Sequence, residues 1–267
     1  MKSYIQTPQI HANGTAQNFD KYDIPYDVLW LDIEHTDGKR YFTWDRNKFP
    51  NPKDMQASLK AKGRKLVTII DPHIKKDDNY FVSKDATEKR LFVLDKDSKD
   101  YEGWCWPGNS GWLDYLKPET RAYWSSCFHY DKYIDSTDTL YVWNDMNEPS
   151  VFTGPEITMP KDNLHYWTQD KTVEHRDVHN LYGTLQQAAT YMGLLERQTS
   201  VDVRSSSILN KLLDFLKLTA VCLFSRLLIK LARLSCHGPF SPLRNAMAQF
   251  GLVTTLQHTN TCKPRFP

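Results

Sequence analysis

Ten residues, Trp143-Asn-Asp-Met-Asn-Glu-Pro-Ser-Val-Phe152, gather two carboxylates, two carboxamides and two aromatic rings. Acids that dense beside flat apolar faces suit the breaking of a glycosidic bond. There one carboxylate attacks or stabilises an oxocarbenium-like centre, and a second carboxyl protonates the leaving oxygen. An aspartate at a strand tip suits the first task, which makes Asp145 the candidate nucleophile. Glu148, three residues on, is either the acid or a supporting group that holds the nucleophile or a sugar hydroxyl, and spacing alone does not separate the two. A blander reading stands beside both, because strand-end acids often cap their own loop by accepting backbone N–H groups.

Similar residues recur at two other strand ends. Asp27 to Ile33 reads as a strand with Asp32 at its end, Lys65 to Ile70 as a buried strand followed by Asp71 and His73, and Thr139 to Trp143 as a third, leading into Asn144 to Glu148. Pro52 to Lys62 has helical spacing with a proline near its first turn, Pro118 to Phe128 suits a helix, and Val173 to Arg197 a long one. Continuously apolar strands alternating with helices predict a parallel α/β sheet covered on both faces. A TIM-type barrel keeps its chemistry at such strand ends, but a doubly wound sheet puts polar residues there too. Either way, three segments converge on one site. Asp71 and His73, with Asp32 and Asp145, also offer the N and O ligands of a metal site. The alternative is a hydrogen-bonding role for His73 behind the site.

Hydrophobic residues at 40% and charged residues at 25% of 267 exclude disorder over the whole length. The net charge of +2 hides a split, since residues 198–267 hold nine Lys/Arg against two Asp/Glu. Within that tail, Ile208 to Leu234 reads as one basic, Leu-rich amphipathic helix, and Lys217 and Arg226 interrupt it too often for a membrane span. Packing on a partner competes with lying on an anionic membrane, so membrane contact is not expected. Basic residues among leucines lack a stacking platform for bases, which argues against a nucleic-acid partner. Five cysteines without CxxC spacing do not point to a thiolate metal site. No N-terminal run joins a basic start, an apolar stretch and a small-residue cleavage site, so no signal peptide is expected in this chain.

The segment Trp143–Phe152 resembles the nucleophile signature of glycoside hydrolase family 31. Further blocks agree in order: Trp30-Leu-Asp-Ile-Glu-His35, Gly38 to Asp45, Asp71-Pro-His-Ile74, Asp100 to Gly108, Gly154-Pro-Glu156 and Glu174 to Asn180. Within the family these blocks are most similar to the glucosidase II branch, and the neutral α-glucosidase C branch also fits. The resemblance implies a partial (β/α)8 TIM barrel, about its first half, over residues 19–197. An unassigned segment, 1–18, precedes it, and an unrelated tail, 198–267, helical or disordered, follows. It implies retaining, exo-acting hydrolysis of terminal α-linked glucose. Asp145 is then the nucleophile, Asp32 binds hydroxyls of the glucose being cleaved, and Trp106 and Trp143 wall that subsite. Asp71 and His73 complete the subsite, His73 by hydrogen bonding from behind, and Glu148 supports the nucleophile. No cofactor and no catalytic metal are implied. The implied substrate is an α-glucoside or glucosylated N-glycan, the partner a glucosidase II β subunit, and the location the endoplasmic reticulum lumen.

Two departures are visible. The family's Trp-Thr-Gly-Asp-Asn block, which bears its acid/base aspartate, has no counterpart here, so the chain as written is expected to be inactive. An inactive sugar-binding fragment and a truncated gene product without stable function are the alternatives. Trp167 to Val173 also replaces a Gly-rich stretch of the family, which leaves that loop's geometry open.

Overall fold

The computed structural model describes residues 8–198, so the predicted amphipathic stretch Ile208–Leu234 lies outside the described residues. In chain order the elements are α1 (Pro8–Lys21), β1 (Val28–Leu31), α2 (Pro52–Lys60), β2 (Lys65–Ile69), β3 (His73–Lys75), α3 (Phe81–Glu88), β4 (Glu102–Cys105), β5 (Gly108–Trp112), α4 (Pro118–Ser126), β6 (Leu140–Trp143), β7 (Leu164–Thr168), β8 (Lys171–Glu174) and α5 (His175–Gln198). The three apolar runs predicted as strands pair in the order β1-β2-β6, parallel throughout. Parallel neighbours need a crossover, and α2 makes the first. Pro52 occupies its first turn, where a missing N–H costs nothing, and Met55, Gln56 and Leu59 are buried. Gln56 clamps the returning chain: its Nε2 donates to Asp135 O at 2.7 Å and its Oε1 accepts Thr137 N–H at 2.9 Å.

The register decides which residues share a face. Leu66 lies opposite Leu140, and both are fully buried; Trp30, Val67 and Tyr141 form the neighbouring row on the other face. Under the first face sits an aromatic core in which Phe42 meets Trp124, Phe128 and Tyr133 edge-on, with ring centroids 5.3, 5.0 and 5.6 Å apart. Edge-on contact sets positive ring edges against negative ring faces. The expectation of a sheet covered on both faces holds for this face only. On the other, Val28, Trp30, Tyr141 and Trp143 stay between 40% and 47% exposed. Only three parallel strands lie among the described residues, too few to curl round and cover their own concave side.

Between β2 and β6 the chain builds a small antiparallel sheet, β3-β5-β4, which the sequence did not reveal. The long helix predicted over Val173–Arg197 begins two residues later, because Val173 and Glu174 belong to β8. β7 and β8 form a hairpin over the stretch whose geometry was open. A series of rings, buried at His165 and His175, ties that hairpin to α5. Asp114 Oδ1 accepts from His165 Nδ1, His165 Nε2 faces His175 Nδ1, and His175 Nε2 faces His179 Nδ1, each at 2.8 Å. α5 then lies against α4, where Trp124 Nε1 donates to Thr190 Oγ1 at 2.8 Å.

Candidate active site

The C-terminal ends of β1, β2 and β6 open onto one cleft of about 310 Å³, and its lining includes Asp32, Asp71, Trp106, Trp143 and Asp145. Five of the seven predicted site residues are thus brought together. His73 and Glu148 stand outside the lining, His73 fully buried behind it and Glu148 exposed. A wider cleft of about 530 Å³, lined by Arg90, Phe92, Lys117 and Tyr166, contains none of the seven.

Each acid is placed by its backbone. After β1 the chain turns into a short 3-10 helix, Ile33–His35, and Asp32 caps it: its Oδ1 accepts Ile33 N–H at 2.7 Å. Loop capping is the blander expectation for Asp145 and Glu148, and the cap seen here is made by Asp32 instead. The ring of His35 donates from Nδ1 to Asp32 O at 2.8 Å, which fixes the turn from below. Beyond the strand pairing, the ends of β2 and β6 are joined by side chains. Asn144 Nδ2 donates to Ile70 O at 2.7 Å, and Asp145 N–H donates to Asp71 Oδ1 at 3.2 Å. The next residue, Met146, has φ +58, a left-handed conformation rare for a long side chain and common where a loop is shaped by function. From the far side, Gly183 of α5 approaches so closely that an added Cβ would lie 2.6 Å from Asn147 O.

Asp71 is the electrostatically strained member. It is 1% exposed, and burial pushes its carboxyl up to about 7, with the charges of Asp145 and Asp32 adding to the shift, while hydrogen bonds from Tyr41 and the Asp145 N–H oppose it. The Tyr41 hydroxyl lies 2.7 Å from Asp71 Oδ2 and 2.8 Å from His73 Nε2, so it bridges the pair that resembled two metal ligands. Burial holds His73 neutral, down at about 3. Among the described residues no group of three or more His, Cys, Asp or Glu is arranged to hold a metal ion.

The walls are aromatic. Trp143 lies against Trp30, with ring centroids 5.3 Å apart, and Trp106 meets Phe152 edge-on at 4.8 Å. Lys39 also lines the cleft and fixes the Trp106 loop by donating from Nζ to Trp106 O at 2.8 Å. Tyr41, Lys39 and Trp30 were not picked out as site residues from sequence. Only the position of Trp30, two residues before Asp32 on a strand, hinted that it would share the site. The arrangement sets several carboxyl groups, able to attack a carbon centre or to accept hydroxyls, beside flat faces that suit an apolar ring side.

The glycosyl hydrolases family 31 TIM-barrel domain matches residues 2–210. Neutral alpha-glucosidase AB of Dictyostelium discoideum is 58% identical over 186 residues, which is 70% of this chain and 19% of its own length. Neutral alpha-glucosidase C of Homo sapiens is 55% identical over 179 residues, 67% of this chain and 19% of its own. A crystal structure of the ER glucosidase II heterodimeric complex, of catalytic subunit and regulatory-subunit binding domain, matches with a TM-score of 0.68 at 52% identity, over 72% of this chain and 20% of that one. The chain therefore spans about a fifth of the length of the curated relatives it matches.

Proposed function

The chain belongs to glycosyl hydrolase family 31, and from that premise we propose that residues 8–198 supply the nucleophile side of a retaining exo-α-glucosidase site. The observation that supports this most is the meeting of Asp145 and Asp32 in one cleft walled by Trp106 and Trp143. A terminal glucose seats its apolar face on the indoles and gives its hydroxyls to the oxygen of Asp32 that does not cap Ile33. Asp145 attacks the anomeric carbon, the bond to the leaving oxygen breaks, and a covalent glucosyl-enzyme forms. Water then releases glucose with the original configuration. Glu148, exposed outside the cleft, supports the loop. The acid/base carboxyl is assigned to none of the described residues, and general acid help contributes roughly 10² to 10⁴ in rate. Alkyl α-glucosides, whose poor leaving oxygen needs a proton, are therefore expected to turn over undetectably with these residues alone. By likeness to its relatives, the substrate is a glucosylated N-glycan, the partner a glucosidase II regulatory (β) subunit, and the place the endoplasmic reticulum lumen.

The test is trapping with 5-fluoro-α-glucosyl fluoride, whose fluoride leaves without a proton donor. Peptide mapping by mass should find one fluoroglucosyl group on Asp145, and none in Asp145→Ala. A label on Asp32, Asp71 or Glu148 would reassign the nucleophile. Saturable binding of glucose-configured ligands without any label would favour the second reading, a sugar-binding fragment.

A further inference from the structure

Behind the nucleophile lies a buried group that the bond-breaking steps do not consume. Tyr41 comes from one segment and Asp71 and His73 from another, none is more than 1% exposed, and the Tyr41 hydroxyl joins the other two. On the opposite side Asp71 Oδ1 accepts the backbone N–H of Asp145, and His73 Nδ1 has no hydrogen-bond partner.

That pattern constrains the protons. The one phenolic proton points at Asp71 or at His73, not at both. When Asp71 is a carboxylate, Tyr41 donates to it, His73 donates to the phenol oxygen from Nε2, and the partnerless Nδ1 is a bare lone pair. When Asp71 takes a proton on Oδ2, that proton goes to the phenol oxygen and the phenol turns to His73 Nε2. The imidazole proton is then forced onto Nδ1, a buried donor with nothing to receive it, which is the more penalised state. His73 therefore favours the carboxylate against burial and against the neighbouring charges of Asp145 and Asp32. The other titratable group beside Asp71 is the Cys105 thiol, which burial pushes up to about 12 and keeps neutral.

We propose that Tyr41, Asp71 and His73 form a positioning triad, in which Tyr41 and His73 hold Asp71 as a carboxylate whose Oδ1 grips the Asp145 N–H and aims the nucleophile into the cleft. A charged acceptor makes that grip stronger than a neutral one. The aim rests on the reading of Asp145 as nucleophile; the proton coupling among the three side chains does not.

Two measurements on the full chain separate the parts. The first follows the rate of 5-fluoroglucosyl trapping against pH. The wild-type rate should fall as pH drops through about 7, where Asp71 takes up its proton. Asp71→Asn should lose that arm and trap roughly tenfold more slowly at its plateau, as loss of one charged hydrogen bond implies. Tyr41→Phe should move the arm to higher pH. An arm that persists in Asp71→Asn overturns the proposal. The second follows the ¹³C carboxyl resonance of Asp71 and the ¹⁵N amide resonance of Asp145. Both should titrate together, and Tyr41→Phe should raise the shared midpoint. A midpoint that Tyr41→Phe leaves in place, or an Asp145 amide that ignores Asp71, overturns the proposal whether or not label forms. Absence of label at every pH, with the two resonances coupled, counts against the nucleophile reading alone.

Discussion

Buried histidines and one buried carboxyl give this protein two opposed pH dependences. Burial holds His35 down at about 4, and His73 and His175 down at about 3. Their unfolded counterparts titrate near 6.5, so the unfolded state binds more protons below that pH. Stability should fall as pH drops from about 6.5 toward 3, each ring adding up to about 1.4 kcal/mol per pH unit. Denaturant midpoints at stepped pH check this, and a midpoint flat between pH 6.5 and 4 would contradict it. Asp71 works the other way. Its folded value, about 7, lies above the ordinary 3.8, so the stability it lends in acid is lost as pH rises between those values. Asp71→Asn is therefore expected to raise the melting temperature at pH 8 while slowing trapping, a pairing that plain misfolding would not produce. The carboxylates were legible in the sequence because acids after apolar strands are a chemical pattern in themselves. Tyr41 was not, since nothing beside it in the chain marks it. It reaches Asp71 only because the chain reverses at Phe42, with φ +64, and buries that ring among Trp124, Phe128 and Tyr133.

Among the elements, α5 bears most directly on the site although it contributes no residue to the cleft lining. Gly183 lets the helix touch Asn147 O, two residues from Asp145. Gly183→Ala is expected to press that loop, slowing trapping on Asp145 while destabilising the fold by roughly 1–3 kcal/mol, the usual range for overpacking. Trapping rate and denaturant midpoint, measured together, decide it; a loss of stability with an unchanged trapping rate would show that the loop yields elsewhere. Helices α2, α4 and α5 and the central strands were legible from apolar periodicity to within two residues at their ends, whereas α1 and α3 were not foreseen. The hairpin of β7 and β8 was not, because its turn at Gln169-Asp170 lacks the Asn-Gly or Asp-Gly signal of a tight hairpin. What holds it is the series from Asp114 through His165 and His175 to His179, contacts 4 to 51 residues apart.

At the scale of the whole molecule, parallel pairing was legible and the open face was not. Strands built as Val-Leu-Trp-Leu and Leu-Tyr-Val-Trp are apolar on both sides, so period-two alternation, the usual guide to which side meets water, is silent. That open face also brings together two indoles, Trp143, which lines the cleft, and Trp30, 41% and 44% exposed with centroids 5.3 Å apart. Rings so close share their electronic excitation, so the pair should give a coupled near-ultraviolet dichroism band, and its emission should respond to whatever replaces water above it. A glucose-configured ligand is expected to shift that emission to shorter wavelength in the wild type. Trp143→Phe should abolish both the band and the shift, while Trp104→Phe, outside the pair and the cleft lining, should keep them. The protein thus carries its own lamp beside the cleft, and occupancy of the proposed site should be readable by light without attaching a dye.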